Sequence, residues 1–144
     1  MLALLSQYGQ AFGYLATVRL DGGPRVHPVA PVIAAGGLFC FVMPSPKRRD
    51  LVRDGRYALH SYPAEASDDE AYLSGRARPA SAAAQDQVAV AHRAAPGVDW
   101  RLFELSVEVA MVTHREPPSP AASHRIWRAP HMRSGPTHQG GAAA

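Results

Sequence analysis

The chain has 144 residues, of which 47% are hydrophobic and 19% are charged. This length allows one domain with a buried core, and the composition excludes an intrinsically disordered chain. The net charge of +3 comes from residues 114–144, which hold four arginines and one glutamate, whereas the basic and acidic residues of 1–113 balance. A neutral folded part argues against a nucleic-acid partner.

The cysteine content and the apolar segments set the expected environment. Cys40 is the single cysteine, so the chain has neither a disulfide framework nor a cysteine metal cluster. No apolar run approaches the ~18 residues of a membrane span, and residues 1–6 lack the basic segment of a signal peptide. We therefore expect a cytoplasmic protein with no membrane partner.

The first half of the chain predicts a short helix followed by an antiparallel meander. Residues 1–12 are amphipathic and typical of a helix. Three apolar, alternating segments then predict strands joined by tight turns: residues 14–20, 25–33 and 38–43. Pro28 and Pro31 indicate that the second of these strands lies at an edge, contains a bulge, or adjoins a ligand in place of a neighbouring strand.

A helix is predicted from Pro46 to about Asp54, with Ser45 as its N-cap and Gly55 as its end. Three cations stand in its first turn: Lys47, Arg48 and Arg49. This end of a helix is already positive through the helix dipole, so the pattern favours a bound anion such as phosphate. The alternative is an ordinary solvated basic helix.

The second half predicts three more strands, one further helix and a tail. The strands cover residues 57–62, 71–78 and 100–112, with Gly75 as a candidate bulge, and the helix covers residues 81–94. Residues 114–144 are rich in proline, which predicts a partly disordered tail outside the barrel, with disorder at 134–144. The pattern is that of a small, mainly β antiparallel barrel formed by residues 1–113.

Several segments in order resemble one known family. They are the hairpin Thr17–Val29, the helix start Ser45–Leu51, the following segment Arg53–Leu59, and the strand Leu73–Ala77. Over about residues 12–113, the chain resembles the pyridoxamine 5′-phosphate oxidase-like flavin-binding split barrels. This resemblance implies a six-stranded split β-barrel and a homodimer. It also implies that FMN, or a related deazaflavin coenzyme, binds in a cleft at the dimer interface.

The resemblance assigns cofactor contacts by position. Arg25 and Lys47 would hold the phosphate, with Ser45 and Arg48 helping. Seven residues would line the ring: Val26, His27, Pro28, Val29, Phe41, Val42 and Met43. Two antiparallel strands are expected to place Arg25–Val29 beside Phe41–Ser45, so that one ligand spans both.

The implied function is that of an FMN-binding oxidoreductase acting on a small organic substrate. No nucleophile, base and acid stand at catalytic spacing, which suits chemistry performed by a cofactor, so we assign no catalytic residue. No metal site is expected. The tail does not match the vitamin-synthesising oxidases, so strict pyridoxamine phosphate oxidase activity is not expected. The alternatives are a deazaflavin-dependent reductase, a non-catalytic cofactor-binding or stress protein, and a haem protein with His27, His60 or a tail histidine as axial ligand.

Overall fold

The computed structural model describes residues 12–62, 67–91, 97–116, 119 and 121–130. They form eight strands and two helices in the following order: β1 (Gly13–Val18), β2 (Pro24–Val29), β3 (Pro31–Ala34), β4 (Gly37–Val42), α1 (Pro46–Arg53), β5 (Arg56–Ser61), β6 (Glu70–Pro79), α2 (Ala82–Ala91), β7 (Arg101–Arg115) and β8 (Ala122–Arg128). The helix predicted for residues 1–12 and the disorder predicted for 134–144 lie outside the described residues, apart from Phe12.

All eight strands belong to one antiparallel sheet in the order β2-β1-β5-β6-β7-β4-β3, with β8 also paired to β7. The strands β2 and β3 lie at opposite ends of this order, yet only Ala30 separates them in the chain. The two ends of the sheet must therefore come together at this residue, and the sheet curls into a half-barrel. The mainly β antiparallel architecture agrees with the sequence prediction.

The predicted meander is wrong in one respect, because residues 25–33 form two strands with different partners. The first part, β2, pairs with β1, and the second part, β3, pairs with β4. Pro28 and Pro31 lie on either side of Ala30 and lack the N–H that a continuous ladder needs, so the chain bends there and changes edge. The strand β2 is consequently not the neighbour of β4, contrary to expectation.

The predicted count of six strands is also corrected, because the sheet continues past residue 113. The strand β7 runs to Arg115, and β8 pairs with it from Val109↔Arg128 to Arg115↔Ala122. Thr113 and His124 add a side-chain contact of 3.1 Å between the two strands. The proline content of residues 114–144 predicts a tail outside the barrel, but residues 122–128 contain no proline and can pair. This part of the tail therefore extends the barrel.

Apolar side chains cover both faces of the sheet. The interior core is formed by residues such as Leu15, Leu59 and Phe103, and Leu51 of α1 packs into it. On the other face, Val88 of α2 packs with residues of β3, β4 and β7. Within the residues that the structure describes, neither helix is long and apolar enough to cross a membrane.

The bulge predicted at Gly75 is present. The pairing of β6 with β7 shifts between Ser74 and Gly75, where β7 holds one extra residue, Glu108. The carbonyl oxygen of Ser106 lies against Gly75 and accepts a hydrogen bond of 3.1 Å from the Tyr57 hydroxyl. A residue without a side chain is needed where two backbones approach this closely.

Candidate functional site

The start of α1 has the capped geometry that its sequence predicts. The Ser45 backbone is extended, and its hydroxyl accepts a hydrogen bond of 3.4 Å from the Arg48 amide while donating one of 2.9 Å to the Met43 carbonyl. Pro46 occupies the first helical position, and no acidic residue stands in the first turn. Positive side chains and the positive end of the helix dipole therefore coincide. At the other end, Gly55 follows the C-cap Asp54 with a φ of 75°.

One buried carboxylate joins this helix to the first hairpin. Asp50 of α1 is 3% exposed. Its Oδ2 accepts hydrogen bonds of 2.9 Å from the Thr17 hydroxyl and 2.7 Å from Arg25 Nε. Its Oδ1 lies 3.4 Å from both terminal nitrogens of Arg53, which also donates to the carbonyl of Val18. Asp50 thus ties β1, β2 and α1 together.

The charge state of Asp50 follows from these contacts. Burial of the carboxyl raises its pKa and is the largest single influence, but the hydrogen bonds from Arg25, Thr17 and Arg53 and the charge of Arg25 together outweigh it. The pKa of Asp50 therefore lies below its ordinary value, and the group is a carboxylate at neutral pH. The network is an ion pair with its hydrogen bonds made, which is the condition for a buried charge to be tolerated.

A cavity of about 540 Å³ opens beside this network, between the β1–β2 hairpin and one face of α1 along its length. It is lined by Arg19, Leu20, Asp21, Arg25, Pro46, Arg49, Asp50 and Arg53. Arg19 pairs with Asp21 at 2.8 Å, and Asp50 is shared by Arg25 and Arg53. The Arg49 guanidinium makes no ion pair within the described part of the chain. Four arginines against two aspartates leave the cavity positive, which suits a dianion such as a phosphate ester.

The predicted phosphate contacts are only partly brought together here. Arg25 lines the cavity, as Pro46 does, whereas Ser45, Lys47 and Arg48 are not among the lining residues. Lys47 is half-buried in the same helical turn and forms no ion pair with any described residue. Arg48 is engaged elsewhere, since its Nη1 lies 3.1 Å from Asp99 Oδ2. The assignment of these four residues to phosphate stays a prediction.

The ring-lining residues predicted on β2 divide between its two faces. Arg25, His27 and Val29 alternate with Pro24, Val26 and Pro28, and the first set faces inward. Val29 belongs to the interior core, whereas Val26 is 59% exposed. His27 is half-buried, and its Nε2 is buried without a hydrogen-bond partner among the described residues. A buried polar atom needs a hydrogen-bond partner, which a water, an ion or a ligand atom can supply.

The ring-lining residues predicted at β4 also separate. Val42 is fully buried in the interior core, so its side chain is not available to a ligand in a cleft. Phe41 packs against the α2 side of the sheet, with its ring 5.7 Å from that of Trp100 in an edge-to-face arrangement. Met43 follows the strand and is half-exposed. The two predicted strands therefore do not offer one continuous side-chain surface.

Sequence reasoning missed the residues that hold Arg25 in place. The hairpin turn at Asp21–Gly23 sets the register, and that register places Thr17 directly opposite Arg25. The i,i+3 spacing of Asp50 and Arg53 on a helix was a second available signal. What the sequence could not show is that α1 crosses the end of this hairpin and brings Asp50 to it.

Comparison with known proteins shows the fold. No protein-family model matches the chain, and no curated protein matches its sequence. A heme-binding protein from Mycobacterium smegmatis superposes with a TM-score of 0.62 at 21% identity, covering 85% of this chain and 55% of that protein. This chain thus spans little more than half of that protein.

Two further solved structures match this chain over most of their own length. A Clostridium acetobutylicum protein related to general stress protein 26 of B. subtilis, of the pyridoxinephosphate oxidase family, gives a TM-score of 0.63 at 9% identity, over 88% of this chain and 94% of that one. PhzG from Burkholderia lata 383, in complex with tetrahydrophenazine-1-carboxylic acid, gives a TM-score of 0.59 at 14% identity. The superposition covers 89% of this chain and 88% of PhzG. The chain therefore has the pyridoxamine 5′-phosphate oxidase-like split-barrel fold, as its motifs indicated.

Proposed function

We propose that this chain binds FMN and acts as an FMN-dependent oxidoreductase on a small organic substrate. The observation that carries the proposal is the positive cavity between the first hairpin and α1, in which Arg25 is held by Asp50. FMN ends in a phosphate dianion, and guanidinium groups together with free helix N–H groups are the usual partners of such a group. The fold is one in which flavin binding is common.

The residues present fit the cofactor in two places. Arg25 and Arg49 line the cavity, and Ser45 and Lys47 stand at the start of α1 beside it, so the phosphate would be held between β2 and α1. His27 lies two residues beyond Arg25 on the same face of β2, which places it roughly 6.6 Å further along the strand. Its unpartnered Nε2 would then meet a polar atom of the ribityl chain or the ring.

When bound, FMN supplies hydride and electron transfer, which no side chain of this chain can perform. The chain's own residues would bind the phosphate, orient the ring and exclude water from it. A deazaflavin coenzyme would use the same phosphate contacts and is the nearest alternative. A non-catalytic cofactor carrier or stress protein would need the site but no substrate cleft.

Haem binding is a second candidate, favoured by one specific observation. His27 Nε2 is an unpartnered imidazole nitrogen within the part of the chain that the structure describes, and such a nitrogen is what an axial haem ligand requires. One of the similar structures is a heme-binding protein. The absorbance spectrum of the protein after incubation with FMN, deazaflavin coenzyme and haem in turn separates these candidates.

Replacing the phosphate contacts should weaken FMN binding selectively. A charge-assisted hydrogen bond contributes about 1.5–3 kcal/mol, so Arg25→Ala and Lys47→Ala should each raise the Kd for FMN about tenfold to a hundredfold. The Kd is measured by fluorescence titration, with riboflavin as the ligand that lacks phosphate. Arg78→Ala is the matched control, because Arg78 is exposed, pairs with Glu104 and does not line the cavity. Unchanged FMN affinity in both site variants would refute the site.

We also propose that the chain is a homodimer whose interface adjoins the cofactor cleft. Seven large apolar side chains of the described residues are about half exposed or more, and four of them lie on β2, on β8 or just after β4: Val26, Ile126, Trp127 and Met43. A stable dimer of this kind should bury about 2,000 Å² or more. Light scattering at micromolar concentration is expected to give the mass of two chains. A monomeric mass would contradict the dimer and, with it, a cleft shared between subunits.

A further inference from the structure

We infer that Asp50 is a positioning residue of this site, which holds Arg25 by Nε and thereby aims its two terminal nitrogens at the phosphate of the ligand. The inference rests on the proposed function, since it concerns how the same cavity recognises its anion. It assigns Asp50 a role in binding although Asp50 itself, as a carboxylate, would repel the phosphate.

The geometry favours positioning because three separate elements converge on one carboxylate. Thr17 and Arg25 are directly opposed across β1 and β2, and both donate to the same oxygen of Asp50. Arg53 occupies the other oxygen and is itself tied to Val18. The carboxylate is therefore fixed from both sides before any ligand arrives.

The planar shape of the guanidinium group means that a hydrogen bond at Nε also orients the two terminal nitrogens. The group is planar, with Nε and both terminal nitrogens in one rigid fork, so fixing the Nε–H direction fixes the plane of all three. Arg25 makes no other side-chain hydrogen bond within the described residues, and its side chain is 30% exposed in the cavity wall. Its terminal nitrogens are thus left for an anion.

Holding the arginine in advance matters for affinity. A free arginine side chain loses considerable rotamer freedom when it binds a ligand, and an arginine that is already held loses less. The second consequence concerns selectivity, because only the phosphate end of the ligand gains from an aimed guanidinium. Replacement of Asp50 should therefore weaken the binding of FMN and leave the binding of riboflavin unchanged.

The decisive experiment compares FMN and riboflavin binding in full-length variants. Asp50→Asn keeps the size of the side chain and removes its charge, and it should weaken FMN binding about tenfold while leaving riboflavin binding within about twofold. Thr113→Val is the matched control: Thr113 is buried, its hydroxyl contacts His124 and it does not line the cavity, so its replacement should lower the melting temperature without changing the FMN-to-riboflavin affinity ratio.

A double-mutant cycle separates positioning from a general structural effect. If Asp50 acts through Arg25, Asp50→Asn should change the FMN affinity by less than about twofold once Arg25→Ala is present. An unchanged FMN-to-riboflavin ratio in Asp50→Asn, or an equal loss in both backgrounds, would overturn the inference. Should Asp50→Asn fail to fold, Asp50→Glu keeps the charge but shifts the anchor by one methylene, and the same two outcomes decide. If the unaltered protein binds neither FMN nor inorganic phosphate, the proposed function itself fails.

Discussion

Replacing Gly75 by alanine is expected to destabilise the protein by about 3 kcal/mol or more, a large part of the stability of a small domain. A Cβ at this position would overlap the backbone carbonyl of Ser106 and lie 3.1 Å from the amide nitrogen of Glu108. Both obstacles are backbone atoms of the bulged strand β7, so no side chain can turn away to make room. Relief would need β6 and β7 to separate, which breaks their ladder and the Tyr57 hydrogen bond to Ser106.

Urea denaturation followed by fluorescence measures this effect, with Gly22→Ala as the matched control. Gly22 has a φ of 84° in the β1–β2 turn, but a Cβ there would meet no atom within 4 Å. Its replacement should therefore cost only about 1 kcal/mol, from backbone strain. Equal losses in the two variants would show that the close approach at Gly75 is not the cause.

Truncation after Arg115 is expected to destabilise the barrel by at least about 3 kcal/mol. This change removes β8, whose seven register pairs line β7 from Val109 to Arg115. Each backbone hydrogen bond contributes roughly 0.5–1.5 kcal/mol, so the loss of several gives this sum. The vacated edge of β7 is a template for pairing with another chain, and we also expect aggregation on heating.

Thermal unfolding and light scattering test the truncation, and a second truncation after Pro130 is its control. The longer chain keeps β8 and the Ala129 amide, which donates to the Glu108 carbonyl at 2.8 Å. It should melt at nearly the temperature of the whole chain. If the chain truncated after Arg115 also melts at nearly that temperature, β8 contributes nothing to the stability of the barrel.

Features that depend on neighbouring residues could be predicted from the sequence. Ser45 and Pro46 begin a helix because their chemistry satisfies the first turn, and Gly55 ends it because it accepts a positive φ. Gly75 marked the bulge, and the Asp21–Gly23 turn marked the first hairpin. The cluster of cations in the first turn of α1 indicated an anion site. The prolines within the second predicted strand indicated an edge of the sheet.

Features that depend on which distant segments meet followed only from the packing of the whole fold. The chain bends at Ala30, and β2 and β3 lie at opposite ends of the sheet. The prolines show that a continuous ladder cannot form there, but they do not show which sheet edge each strand joins. The packing also placed β8 on β7, since β4 pairs only with Arg101–Glu104 and leaves the rest of that edge open.

The site shows the same division. The sequence identified Arg25 as a cation for the ligand, but only the crossing of α1 over the hairpin brings Asp50 within 2.7 Å of it. The same packing turned Arg48 toward Asp99 and buried Val42 in the core. Local patterns act through backbone chemistry within a few residues, whereas the direction of a charged side chain depends on partners 25 to 51 residues away. For that reason the sequence predicted the kind of site, and the fold decided which residues form it.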